Sequence, residues 1–173
     1  MRGISMETIL GALVGLAVAG VLAAVLFRAK VLDMTFDERQ ERARGVAYKW
    51  GFLTMAVCLA LYGVSDLLLG RWCDGLAGAV LCFCVAGTVF ASVCIRKGAY
   101  MGLRESRRTV LPFLISATAL NLIVGIQQAA EGGVVVQGIL TYRATNLLLG
   151  ITCLVILLVY LATPVSAPEE DEA

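Results

Sequence analysis

Asp66 is the one acidic residue inside an otherwise apolar stretch, Trp50 to Gly70. An ionisable group at membrane depth is costly to keep and is by default a candidate for proton or cation coupling. Its position argues the other way. Asp66 stands 16 residues past Trp50, about 24 Å of helical rise, so it falls near a membrane surface, within reach of water, Arg71 or Arg143. Asn121 and Gln128 are the other polar groups with a shared direction: Ala117, Asn121, Gly125 and Gln128 follow at helical spacing, with Thr118 beside them. Burying an amide unpaired costs a few kcal/mol, so Asn121 is expected to hydrogen-bond across the bundle. A transport path would instead need Asp66, Asn121, Gln128 and Glu131 to converge on one water-accessible cavity.

Catalytic constellations are missing. The chain has no histidine, which removes the commonest metal ligand and proton shuttle. No two carboxylates share an apolar stretch, and no nucleophile stands beside a base. Of the six cysteines, all but Cys73 lie in apolar stretches, where the thiol packs as a small hydrophobe. Cys82 and Cys84 point to nearly opposite faces of a helix and cannot hold one ion together, and Cys73, in a short connection, reads as the exposed thiol. Gly98 and Gly102 lack the Lys-Ser/Thr of a phosphate-binding loop. No enzymatic activity, metal, cofactor or nucleic-acid partner is expected.

Hydrophobic residues make up 60% of the chain and charged residues 16%, too few charges to cover a water-facing surface. Apolar stretches at about 8–27, 50–70, 75–95, 109–130 and 145–163 are each long enough to cross a bilayer as a helix, and they lack the alternation of barrel strands. The fold class expected is an all-α integral membrane protein of five transmembrane helices forming one bundle over 1–163. Six of the 14 Lys and Arg residues fall between Arg28 and Lys49, and five between Arg96 and Arg108. Such connections stay in the cytoplasm, which puts the N-terminus outside, the C-terminus inside, and an acidic, disordered tail (164–173) in the cytoplasm. Ala17-Val18-Ala19 loosely resembles a signal-peptide cleavage site, but the chain stays apolar to Phe27, so the first span is expected to be retained.

Short outer connections pair the second span with the third and the fourth with the fifth. Gly132 to Tyr142 is too short to span and too apolar for an ordinary loop, and suits an interfacial helix or an oblique start to the fifth span. Gly11, Gly15, Ala19 and Ala23 recur every four residues on the first span. That stripe would serve packing within the bundle or a homo-oligomer contact.

The connection from Asp33 to Lys49 is the most distinctive segment. Thr35 and Glu38 have capping-box spacing, Phe36, Gln40, Ala43, Ala47 and Trp50 share a face, and Glu38 and Arg42 can pair on another. The segment therefore reads as an amphipathic cytoplasmic helix at the membrane surface between the first two spans. Asp37, Glu38, Arg39, Gln40, Arg42 and Arg44 are its candidate partner-binding residues. Asp37-Glu38-Arg39-Gln40, followed by Arg44-Gly45-Val46-Ala47-Tyr48-Lys49-Trp50-Gly51-Phe52, resembles a "DERQ … RG-x-AYK-x-GF" segment of small, multi-span integral membrane proteins of Firmicutes-type bacteria with no established activity. Phe36 stands where a tyrosine would be expected before the Asp-Glu pair. The resemblance covers about an eighth of the chain; it implies a bacterial plasma membrane and supplies no catalytic residue. The function expected is that of a non-enzymatic interaction or regulatory membrane protein in the lipid bilayer, with a small transporter or channel subunit as the alternative.

Overall fold

The computed structural model describes residues 35–102 and 107–163; the expected first span with its small-residue stripe, and the acidic tail, lie outside the described residues. Four helices dominate: α1 (Glu38–Leu69), α2 (Gly75–Arg96), α3 (Arg107–Ala130) and α4 (Thr145–Ala162). Each is long and apolar enough to cross a bilayer, which makes this a helical, multi-pass membrane protein. The outward surfaces carry Phe52, Leu67, Phe113, Leu120 and Ile123, all largely exposed. So much continuous apolar surface is untenable in water and natural against lipid tails.

The helices stand in a row, α1–α2–α4–α3: α1 packs on α2, α2 on α4, and α4 on α3. The two expected antiparallel pairs are therefore present, joined through their second helices. Small residues set the spacing at each seam. A Cβ on Gly125 would lie 2.6 Å from the backbone of Leu147, and one on Gly150 would lie 2.9 Å from the backbone nitrogen of Leu122, so α3 and α4 touch nearly main chain to main chain. On the α1–α2 seam, Gly51 meets Phe90 and Gly78 lies under the Tyr62 ring, while Tyr48 packs on Phe90 with ring centroids 4.8 Å apart.

Residues 38–49, expected as a separate surface helix, and the second span are one continuous helix. α1 runs unbroken for 32 residues, because nothing between Gln40 and Trp50 interrupts helical hydrogen bonding; neither Gly45 nor Gly51 is followed by a proline that would force a stop. Its cap lies two residues later than the spacing of Thr35 and Glu38 indicated. The Asp37 carboxylate accepts the Gln40 N–H at 2.6 Å, and the Gln40 side chain accepts the Asp37 N–H at 3.3 Å. A carboxylate is the stronger acceptor at a helix N-terminus, and Gln40 completes the box. The inward stripe is correspondingly Gln40, Arg44, Ala47 and Gly51, whereas Trp50 is half exposed.

The segment before α4 forms no interfacial helix; only its end, a 3-10 turn over Tyr142–Ala144, leads into α4. Val135–Val136 and Ile139–Leu140 pair as a small antiparallel hairpin, β1 and β2. Its two central residues, Gln137 and Gly138, have φ of 52° and 79°, the mirror-image turn whose twist suits a two-residue hairpin. The hairpin is tied to the α1–α2 connection: Asp74 N–H donates to the Leu140 carbonyl at 2.8 Å, and Leu140 N–H to the Trp72 carbonyl at 2.9 Å. This closes over Cys73, which is 1% exposed. Cys73 is thus a buried thiol, and the short connection that made it look accessible is covered by a segment distant in sequence.

Candidate functional site

At the opposite end of the row from the hairpin, four helix ends meet. α2 stops in a Schellman arrangement: Gly98, at φ 66°, donates to the Ile95 carbonyl at 3.1 Å, and Ala99 N–H to the Cys94 carbonyl at 2.8 Å. The chain then turns back across the first turns of α1. Gln40 donates both to the Gly98 carbonyl at 3.1 Å and to the Met101 carbonyl at 3.3 Å, and Arg44 donates to the Ala99 carbonyl at 3.3 Å. The Arg44 guanidinium also stacks 4.0 Å over Phe36 and lies 5.9 Å from the rings of Tyr48 and Phe90. A planar cation that donates in its plane and stacks on its faces suits this position, and lysine could not replace it. Two of the candidate partner-binding residues, Gln40 and Arg44, are therefore used inside the fold.

A cavity of about 580 Å³ opens beside this lock, within the range of about 300–1,000 Å³ usual for small-ligand sites. Five cations line it: Arg39 and Arg42 from α1, Arg96 and Lys97 at the end of α2, and Arg107 at the start of α3. Its floor is apolar and continuous with the core cluster of Ile95, Leu114, Leu157 and Tyr160. The Tyr160 ring lies 5.3 Å beneath the Arg107 guanidinium, and its hydroxyl meets the Met101 sulfur at 3.2 Å. No Asp or Glu of the described residues lines the cavity. Glu38 does face Arg42 at 3.5 Å, but both side chains are over 80% exposed, and such a pair is weak.

The candidate intramembrane residues are not gathered in the same way. Asp66 is exposed near the end of α1, and its possible cationic partners are engaged elsewhere: Arg71 with Asp74 at 3.1 Å, and Arg143 with Glu131 at 3.9 Å. Asn121 donates to the Ala117 carbonyl of its own helix at 2.8 Å rather than across the bundle. One turn further along α3, Gly125 meets the backbone of Leu147 on α4. Thr88, Ser116, Thr118 and Thr152 likewise donate to carbonyls four residues back, so these helices satisfy most of their internal polar groups locally. The exception is Gln128, whose buried Oε1 has no hydrogen-bond partner among the described residues. Asp66 and Asn121 lie on the two outermost helices of the row, α1 and α3, and Gln128 stands two turns along α3 from Asn121.

The cysteines behave as packing groups. Cys82 neighbours Cys58 of α1, and Cys84 neighbours Cys153 of α4, so the two thiols do occupy opposite faces of α2. All six are free, and no cluster of three metal-ligating side chains occurs among the described residues. Burial raises the Cys73 thiol above its ordinary range, with Asp74 adding to the effect.

Comparison of the chain with protein-family models, with curated proteins and with solved structures gave no match.

The sequence indicates that its two basic connections lie on one side of the membrane. It gives no sign that Arg39, Arg42, Arg96, Lys97 and Arg107 surround one space. That depends on the turn after α2, and the only local hint is Gly98, placed where a helix-ending glycine belongs.

Proposed function

We propose that this chain is a non-enzymatic interaction or regulatory protein of the bacterial plasma membrane, with its basic end in the cytoplasm. The observation that carries the reading is the locked cytoplasmic end of α1. Its first turns extend the apolar part of the helix, are fastened to residues 98–101 by Gln40 and Arg44, and still present Asp37, Glu38, Arg39 and Arg42 outward. A charged surface held rigid loses little entropy when it is bound. Orientation follows from the concentration of Lys and Arg at that end, and the bacterial setting from the resemblance of residues 37–52 to the Firmicutes-type proteins.

Two experiments test this. Reporter fusions at residues 40, 73, 102, 138 and 173 should place 40, 102 and 173 inside and 73 and 138 outside; an outward residue 40 overturns the orientation. A photo-crosslinker at Glu38 or Arg42, activated in native membranes, should capture the same protein from both positions. Capture should fall when Arg39 and Arg42 are changed to Gln, and repeated recovery of no specific partner sinks the interaction reading. The orphaned Oε1 of Gln128 is the one observation on the side of a transporter or channel subunit. Uptake or conductance abolished by Asp66→Asn or Gln128→Leu would establish that reading instead.

A further inference from the structure

We infer that the cavity between α1, α2, α3 and α4 is a binding site for a phosphate group, with the apolar floor accepting whatever the phosphate is attached to. Basic residues flanking transmembrane helices ordinarily point into headgroups or water as topology anchors. Here five of them, contributed by three helices, face one space, and no carboxylate of the described residues lines it. Like charges gathered in one place repel one another, and an anion relieves that repulsion for all of them at once. The side chains of Arg39, Arg96 and Lys97 make no hydrogen bond or ion pair among the described residues, and the Arg42 side chain holds only its exposed contact with Glu38.

The chemistry of the lining selects among anions. Four of the five cations are guanidinium groups, whose paired N–H donors match two oxygens of a phosphate in one plane, and Lys97 adds a point charge. Arg107 is already held over the Tyr160 ring, so part of the site is ordered before the ligand arrives. Ile95, Met101 and Tyr160 beneath the cations would repel a small, fully hydrated anion from the floor but suit an esterified phosphate carrying carbon. Two sources fit this chemistry. One is the headgroup of an anionic phospholipid entering from the bilayer, since basic pockets between transmembrane helices hold such headgroups. The other is a soluble phosphate compound entering from water.

The inference deepens the interaction reading, and its test is separate from it because no protein partner is present. The full chain is purified into nanodiscs of phosphatidylcholine alone or with phosphatidylglycerol, then transferred to neutral detergent for native mass spectrometry. In parallel, inorganic phosphate and glycerol 3-phosphate are titrated calorimetrically into the phosphatidylcholine sample. Retention of one phosphatidylglycerol per chain identifies a lipid headgroup site; saturable heat from either soluble probe identifies a soluble phosphate site.

Either signal should weaken about tenfold in Arg39→Gln, equivalent to about 1.4 kcal/mol, and vanish in the pair Arg39→Gln with Lys97→Gln. It should be unchanged in Lys49→Gln and Arg108→Gln, which remove equal charge from outside the cavity. Circular dichroism melting confirms that each variant is folded, and Arg39→Gln alone, at an exposed helical position, decides the matter if the double variant unfolds. Absence of both signals in the unaltered protein overturns the inference. So does equal loss in the outside-cavity variants, which would mean a diffuse surface charge effect.

Discussion

Gly125→Ala should separate two helices that the fold requires to touch. The added Cβ would lie 2.6 Å from both N and Cα of Leu147 and 2.9 Å from its Cβ. Ordinary contact begins near 3.4 Å, so α3 and α4 must part by most of an ångström, and no rotamer change relieves it because the obstruction is backbone. Overpacking of this kind costs about 1–3 kcal/mol, and the upper half applies where the neighbour cannot turn aside. Alanine recovers up to about 1 kcal/mol through its better helix propensity. The net expectation is a loss of about 1–2 kcal/mol. Gly45→Ala is the internal reference, since nothing described lies within 4 Å of its Cβ, and the same propensity gain should appear there unopposed. The two variants should thus differ by about 2–3 kcal/mol in reversible unfolding by sodium dodecyl sulfate from mixed micelles, followed by far-ultraviolet circular dichroism. Adding Leu147→Ala to Gly125→Ala should not restore stability. If Gly125→Ala proves as stable as Gly45→Ala, the close approach of α3 and α4 is wrong.

Three further outcomes follow from other parts of the fold. Gln40→Glu keeps the oxygen that accepts the Asp37 N–H but removes the donors to the Gly98 and Met101 carbonyls. It should cost about 1–3 kcal/mol and speed amide exchange at Gly98–Met101 while leaving the hairpin end of the helices protected. In a variant keeping Cys73 alone, alkylation in neutral detergent should be at least about tenfold slower than in denaturing detergent, because the thiol reacts only through local opening. Since burial and Asp74 raise the Cys73 thiol, the native rate should still be climbing above pH 9, where the unfolded chain has begun to level off; a native rate that levels at lower pH refutes this. Gly138→Val places a branched residue at φ 79° and should destabilise the hairpin by about 1–2 kcal/mol, read as faster exchange of the Leu140 amide, whereas Gln137→Asn should leave that amide at least as protected.

Hydropathy made the spans legible because length and absence of charge are what the bilayer demands of a helix. The stretches at 75–95, 109–130 and 145–163 coincide with α2, α3 and α4 to within a few residues. The apolar run beginning at Trp50 understates α1, which begins at Glu38, since charge ends an apolar run without ending a helix. The hairpin was obscured because Gln137-Gly138 is not the Asn-Gly or Asp-Gly that announces a two-residue turn, and two-residue strands leave almost no alternation to detect. The burial of Cys73 is hidden in the sequence for a related reason: the length of its own connection says nothing about Leu140, 67 positions later, lying across it. The distance between a charged loop and a charged cavity is similar. Composition places Arg39 and Lys97 on one side of a membrane, while only the backbone reversal at Gly98 turns them toward the same volume.

The continuity of α1 has a mechanical consequence. Its 32 residues make a rod of about 48 Å, against a hydrocarbon core of about 30 Å, so roughly a third of it stands clear of the bilayer. Among the described helices it is braced on one side only, by α2. A rod with no joint at the membrane surface cannot bend there to absorb a push on its protruding end. Force applied at Arg39 or Arg42 must reappear as tilt along the whole seam, through the contacts of Gly51 with Phe90 and Tyr62 with Gly78, and reach the buried turn around Cys73 on the far side. A partner or ligand that pushed on α1 at one face of the membrane would therefore be felt in the packing at the other.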